Sequence, residues 1–135
     1  MSVFDPTEWN LGNVSEPQAL PEGEYKCRII SVRKGVDKNS LEYWQPLLEV
    51  CDEPDSKDFT HFLHIPNKSE MSPKQYKRVC YALQEFMLAF ELDFSVAFDP
   101  TQDWGGNEGW AILGVRRTDE YGDQNQIVKV ISGSK

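Results

Sequence analysis

Trp110-Ala111-Ile112-Leu113-Gly114-Val115-Arg116-Arg117 runs into Thr118-Asp119-Glu120-Tyr121-Gly122-Asp123 and out through Gln124-Asn125-Gln126-Ile127-Val128-Lys129-Val130-Ile131. Two β-branched, apolar-rich runs joined by a polar turn with a glycine read as a β-hairpin. Working outward, residues 24–34 form an opening strand and one long helical pattern fills the middle. The order is β-β-β-α-β-β, expected of a mainly β, five-stranded Greek-key barrel with its helix between the third and fourth strands. Barrels of this size more often bind than catalyse.

Along residues 23–33, Tyr25, Cys27 and Ile29 alternate with Lys26 and Arg28, giving one apolar and one cationic face. Residues 41–51 read as a second strand with Leu48 and Val50 inward; Pro46 marks an edge or a bulge. Residues 59–65 form a third strand that stops at Pro66. The helix signal is sharper. Ser72 suits the N-cap, Pro73 the first helical position, and Gln75 completes a capping box. Tyr76, Val79, Cys80, Leu83, Phe86, Met87 and Phe90 recur at helical spacing as one apolar stripe. Residues 93–109 connect, and the Gly105-Gly106-Asn107-Glu108-Gly109 stretch is expected to be a flexible hairpin or linker.

The 135 residues suit one domain, 23–135, behind an N-terminal arm, 1–22, carrying Pro6, Pro17 and Pro21. The arm packs through Phe4, Trp9 and Leu11, stays mobile, or reaches a neighbouring subunit to make a homo-oligomer. With 39% hydrophobic and 27% charged residues, the chain is too apolar for disorder. It has no apolar run of membrane-spanning length and no secretion signal at Met1-Ser2-Val3, so a cytoplasmic protein is expected, in host cytoplasm if viral. Cys27, Cys51 and Cys80 form no CxxC pair and are expected to be small core fillers.

Catalysis finds little support. His61 and His64 stand three apart on a strand, pointing to opposite faces, and cannot chelate one ion together. No HExxH, Walker loop, GxGxxG or GxSxG occurs. The Asp52/Asp55/Asp58 and Asp119/Asp123 groups read as solvated turn acids before they read as metal sites. No enzyme activity, cofactor or metal is expected.

Surface chemistry is left: aromatics beside cations. Lys+Arg total 14 against 22 acids, a formal net charge of −8, so nucleic-acid binding requires cations sorted locally from acids. Cations do cluster, at 26–38, at 74–78 and at Arg116-Arg117. Strand alternation turns about half the aromatics outward. Tyr43 is the outward ring of the second strand, while Trp44 shares the parity of Leu48 and Val50 unless Pro46 introduces a bulge. In the third strand, either Phe62 and His64 or Phe59, His61, Leu63 and Ile65 face the core; the longer set is taken as inward.

Leu20-Pro21-Glu22-Gly23-Glu24-Tyr25-Lys26-Cys27-Arg28-Ile29 resembles the LPxGEYxxxI opening of phage-encoded OB-fold single-stranded-DNA-binding proteins. The ending Gly109-Trp110-Ala111-Ile112-Leu113-Gly114-Val115, then Tyr121-Gly122-Asp123-Gln124-Asn125-Gln126-Ile127, is similar to their closing hairpin. The resemblance spans residues 20–131. It implies a partly open barrel whose second and third strands, with the 1–2 and 4–5 loops, hold an oligonucleotide. Carried over, the implied nucleic-acid-binding residues are Arg28, Arg33, Lys34 and Lys38 by the first loop, Tyr43, Trp44, Phe62 and His64 on the strand face, and Arg116, Arg117 and Tyr121 on the last hairpin. The chain departs from the pattern in its acidic closing turn, Asp119-Glu120. It also ends Ser132-Gly133-Ser134-Lys135 without an acidic partner-binding tip, so no partner contact is expected there.

The function expected is non-catalytic coating of single-stranded DNA in phage or bacterial replication or recombination, alongside the proteins of those processes. The alternatives are a protein-interaction adaptor or virion component on the same barrel, and a divalent-ion nuclease using the turn aspartates.

Overall fold

The computed structural model describes residues 2–131. Six strands form one antiparallel sheet: β1 (Gly23–Val36), β2 (Glu42–Val50), β3 (Phe59–Thr60), β4 (Leu63–His64), β5 (Glu108–Thr118) and β6 (Gly122–Val130). The sheet order is β3-β2-β1-β5-β6, with β4 also paired to β2. Helix α1 (Pro73–Ala89) and the short α2 (Pro100–Asp103) lie between β4 and β5. The fold is mainly β, and its sheet suits a small barrel-like body. The expected third strand is present as two short pieces.

Pro46 gives the reason for that break. His61 N–H donates to the Pro46 carbonyl at 2.9 Å. In an extended strand a residue's N–H and C=O point to the same side, so the missing donor of Pro46 also faces this edge. The facing chain therefore leaves the ladder at residues 61–62 and re-enters at Leu63. β2 itself carries no bulge: Pro46, Leu48 and Val50 are buried, with Trp44 on the same side. The bulge falls on β1, where the register shifts between Ile29 and Ser31. Ile30 is the extra residue and is exposed, while Cys27, Ile29 and Val32 face the core.

Ser72 caps α1 by accepting from the Gln75 N–H at 3.1 Å. Only the C-terminal half of its apolar stripe is buried, as Phe86, Met87 and Phe90; Tyr76, Val79 and Cys80 are half-buried. The glycine-rich stretch is no flexible linker. Gly106 N–H donates to the Ile29 carbonyl at 2.7 Å, and Ile29 N–H to the Asn107 carbonyl at 2.9 Å, pinning the loop to the bulge of β1. Gly109 lies where any Cβ would collide with the Ala89 carbonyl at the end of α1. Trp104 completes the core against Phe86 and Phe98.

The free arm is shorter than residues 1–22. Gln18 N–H donates to Asp55 O at 2.9 Å and Lys57 N–H to Gln18 O at 3.0 Å. Leu20 exchanges two bonds with the buried Asn125 side chain, at 2.8 and 2.9 Å. Residues 18–20 thus run between the approach to β3 and strand β6, the two ends of the sheet. The Lys57 ammonium adds bonds of 2.9 Å to the Tyr121 and Asp123 carbonyls. Phe4, Trp9 and Leu11 do not pack on the body; they are exposed. Residues 132–135, where no partner-binding tip is expected, lie outside the described residues. Among the described residues, no helix is long and apolar enough to cross a membrane.

Candidate nucleic-acid interface

Strand register assembles an outward aromatic row at the C-terminal end of β1. Tyr43 pairs with His64 across β2 and β4, so the two share a face opposite to Trp44 and Leu63. The Tyr43 and Phe62 rings lie 4.1 Å apart between centroids at 30°, and Phe62 meets His64 edge-on at 5.1 Å. Phe62 is 43% exposed. Of the set expected inward, Phe59 and Leu63 are buried and His61 packs on Phe86, while Ile65 is half-buried just past the end of β4. Gly35 is the cross-strand neighbour of Tyr43, and a Cβ there would collide with the phenol ring. Absence of a side chain at Gly35 is what lets the ring lie over β1.

The loop joining β1 to β2 is shaped by Asp37. Its carboxylate accepts from the Asn39 and Leu41 N–H groups at 2.8 and 2.9 Å and contacts His64 Nε2 at 3.2 Å. The Leu41 N–H is the main reason its carboxyl sits below the usual range. One acid therefore fixes the loop that carries Lys38 and anchors the end ring of the row. Arg33 donates to the neutral Gln45 side chain at 2.9 Å. Neither Arg33 nor Lys38 forms an ion pair with a described residue. Flat rings and uncompensated cations together offer what an unpaired, phosphate-linked base stack needs.

The remaining candidates lie elsewhere. Trp44 is turned inward, 5.8 Å from Phe98 and 5.6 Å from Trp104, with its indole N–H buried and unpartnered among the described residues. Its inward parity follows from the absence of a bulge at Pro46. Lys34 is exposed and stands opposite Trp44 in the ladder, close enough to Asp99 to help hold that carboxyl low, after the Thr101 hydroxyl. Arg28 is compensated: it reaches Glu49 at 2.9 Å and Glu108 at 2.8 Å. Its Glu108 bond is the main cause holding the Glu108 carboxyl below its ordinary value. Arg116, Arg117 and Tyr121 are exposed on the β5–β6 hairpin, beyond the Gly23–Leu113 pair and so past the opposite end of β1.

Gly35, Asp37 and Gln45 were not singled out from the sequence. Asp37 left a signal: an aspartate two residues before Asn39 in a polar loop is the pattern of a side chain that closes its own turn. Gly35 and Gln45 matter only through cross-strand register, which no local motif encodes. Of the three cysteines, Cys27 is a core filler whose thiol burial pushes up to about 12. Cys51 and Cys80 are only half-buried, contrary to expectation. His61 stacks on Phe86 at 5.4 Å, and burial lowers its pKa to about 4. No protein-family model and no curated protein matches the chain.

Proposed function

We propose that this protein binds single-stranded DNA non-catalytically, as an OB-fold protein of the phage-encoded type, and coats it during replication or recombination. The observation that carries the reading is the outward Tyr43–Phe62–His64 row beside Arg33 and Lys38. Each base stacked on such a ring contributes about 1–3 kcal/mol without reading sequence, and the cations meet phosphates. The sheet order, with a helix before the last hairpin, suits a Greek-key barrel of the OB kind. The resemblance of residues 20–29 and 109–127 to that family points the same way.

The surplus of acid is reconciled by position. Carboxylates neutralise the β1–β5 face through Arg28 and Lys26, leaving the β1–β2 end to meet phosphate. A fluorescent oligo-dT titrated at low and high salt tests the reading. Binding that weakens with salt, and that duplex of equal length competes for poorly, is the expected result. Equal affinity for duplex overturns it. A second reading, a protein-binding adaptor, draws on the exposed, acidic, ring-bearing arm; failure to shift any oligonucleotide selects it.

A further inference from the structure

The N-terminal half of α1 presents an apolar stripe that the fold covers only in part. Tyr76, Val79 and Cys80 are half-buried and Tyr81 is 63% exposed. Across from them the chain after α1 exposes Phe94 and brings up Phe98, leaving a groove of about 630 Å³ also lined by Met87 and Lys77. A second groove of about 720 Å³ shares Lys77 and adds Met71, Tyr76, Lys68 and Lys74. The surface is both greasy and cationic.

The arm is its complement. Residues 2–17 contain Asp5, Glu8 and Glu16 and no lysine or arginine. Its apolar side chains are open to solvent: Val3 at 90%, Phe4 at 72%, Trp9 at 52% and Leu11 at 62%. Two short turns, Pro6–Trp9 and Leu11–Asn13, hold it in a compact shape with Phe4 and Trp9 rings 6.3 Å apart. A monomer gains nothing from leaving this much apolar surface wet.

Placement decides between its own groove and a neighbour's. The arm is anchored at residues 18–20 beside Asn125, near the β5–β6 turn and past the N-terminal end of β1. The groove adjoins Pro66 and Phe98; Phe98 packs on Trp44, which pairs with Lys34 near the C-terminal end of β1. The anchor of the arm and the groove thus lie toward opposite ends of β1. We infer that residues 3–14 of one copy dock in the α1 groove of a second copy, head to tail. Such a contact is heterologous, with a different patch on each partner, so it leaves one free arm and one free groove at the ends of any assembly.

This inference does not rest on the DNA reading, and its test uses no nucleic acid. Sedimentation of the full chain over a range of concentrations is expected to show reversible self-association beyond the dimer. Phe4→Ala/Trp9→Ala touches no core residue and is expected to weaken association at least tenfold; Lys74→Glu/Lys77→Glu on the groove is expected to do the same. Mixed together, the two variants retain one intact groove and one intact arm between them and are expected to form a 1:1 dimer that grows no further. A chain that stays monomeric, association that survives both variants, or a mixture that fails to dimerise overturns the inference, the first also marking an arm folded onto its own groove.

Discussion

The two ends of β1 carry cations of the same kind in opposite electrostatic circumstances. Near its start, Arg28 sits opposite Glu49 on one side and Glu108 on the other, and its guanidinium bridges both. Five residues on, beyond the bulge, Arg33 sits opposite Gln45, with the Tyr43 ring alongside over Gly35. A count of basic residues treats these arginines alike. The ladder does not: the cross-strand neighbour decides whether a charge is spent on a carboxylate or left facing solvent. Net charge, −8 here, therefore does not say which individual cations are left without a carboxylate partner.

The largest expected effect separates the inward ring from the outward ones. Trp44→Ala removes an indole packed on Phe98 and Trp104 and is expected to lower stability by about 3 kcal/mol, or melting by about 10 °C. Tyr43→Ala and Phe62→Ala are expected to leave melting within a few degrees. Thermal denaturation of the three variants makes the comparison. A Tyr43 variant that melts like the Trp44 variant would move Tyr43 into the structural set.

Burial of an inward ring is also readable through pH. His61 has a folded pKa of about 4, below the ordinary 6.5, because burial against Phe86 disfavours its charged form. The unfolded chain therefore takes up the proton first, so stability rises with pH between about 4 and 6.5 and is complete above. Acidification through that window is expected to cost about 2–3 kcal/mol, read from urea midpoints. His61→Leu is expected to flatten the slope there.

Binding effects come next in size. Tyr43→Ala and Phe62→Ala are each expected to weaken oligo-dT binding by about 1–3 kcal/mol. Gly35→Ala, which pushes the phenol ring off its seat, is expected to act in the same direction but less. Smaller still is the charge effect: Arg33→Ala with Lys38→Ala is expected to reduce the slope of log affinity against log salt by about 1.4, at about 0.7 per phosphate contact. Arg28→Gln is expected to leave that slope unchanged. An Arg28 variant that matched the pair would erase the distinction between the two ends.

Much of this was legible in the residues, and the misses have physical causes. Alternation placed Tyr43 and Phe62 outward, and the Ser72 cap with Pro73 located the helix start, because each signal is local. Pro46 drew attention to the right strand but acts on its neighbour: β2 stays regular and β3–β4 is what breaks. The bulge at Ile30 and the pinning of Gly106 are one feature formed from residues more than seventy positions apart, with no signature in either alone. Likewise Arg28 looked available because Glu49 and Glu108 become its neighbours only through pairing.

Ultraviolet cross-linking of oligo-dT to the full-length protein, followed by peptide mapping, tests the central claim most directly. Adducts on Tyr43 or Phe62, abolished when both are replaced by alanine, are the result expected. Adducts confined to Trp110 or the 118–123 turn, or none in spite of binding, would contradict it.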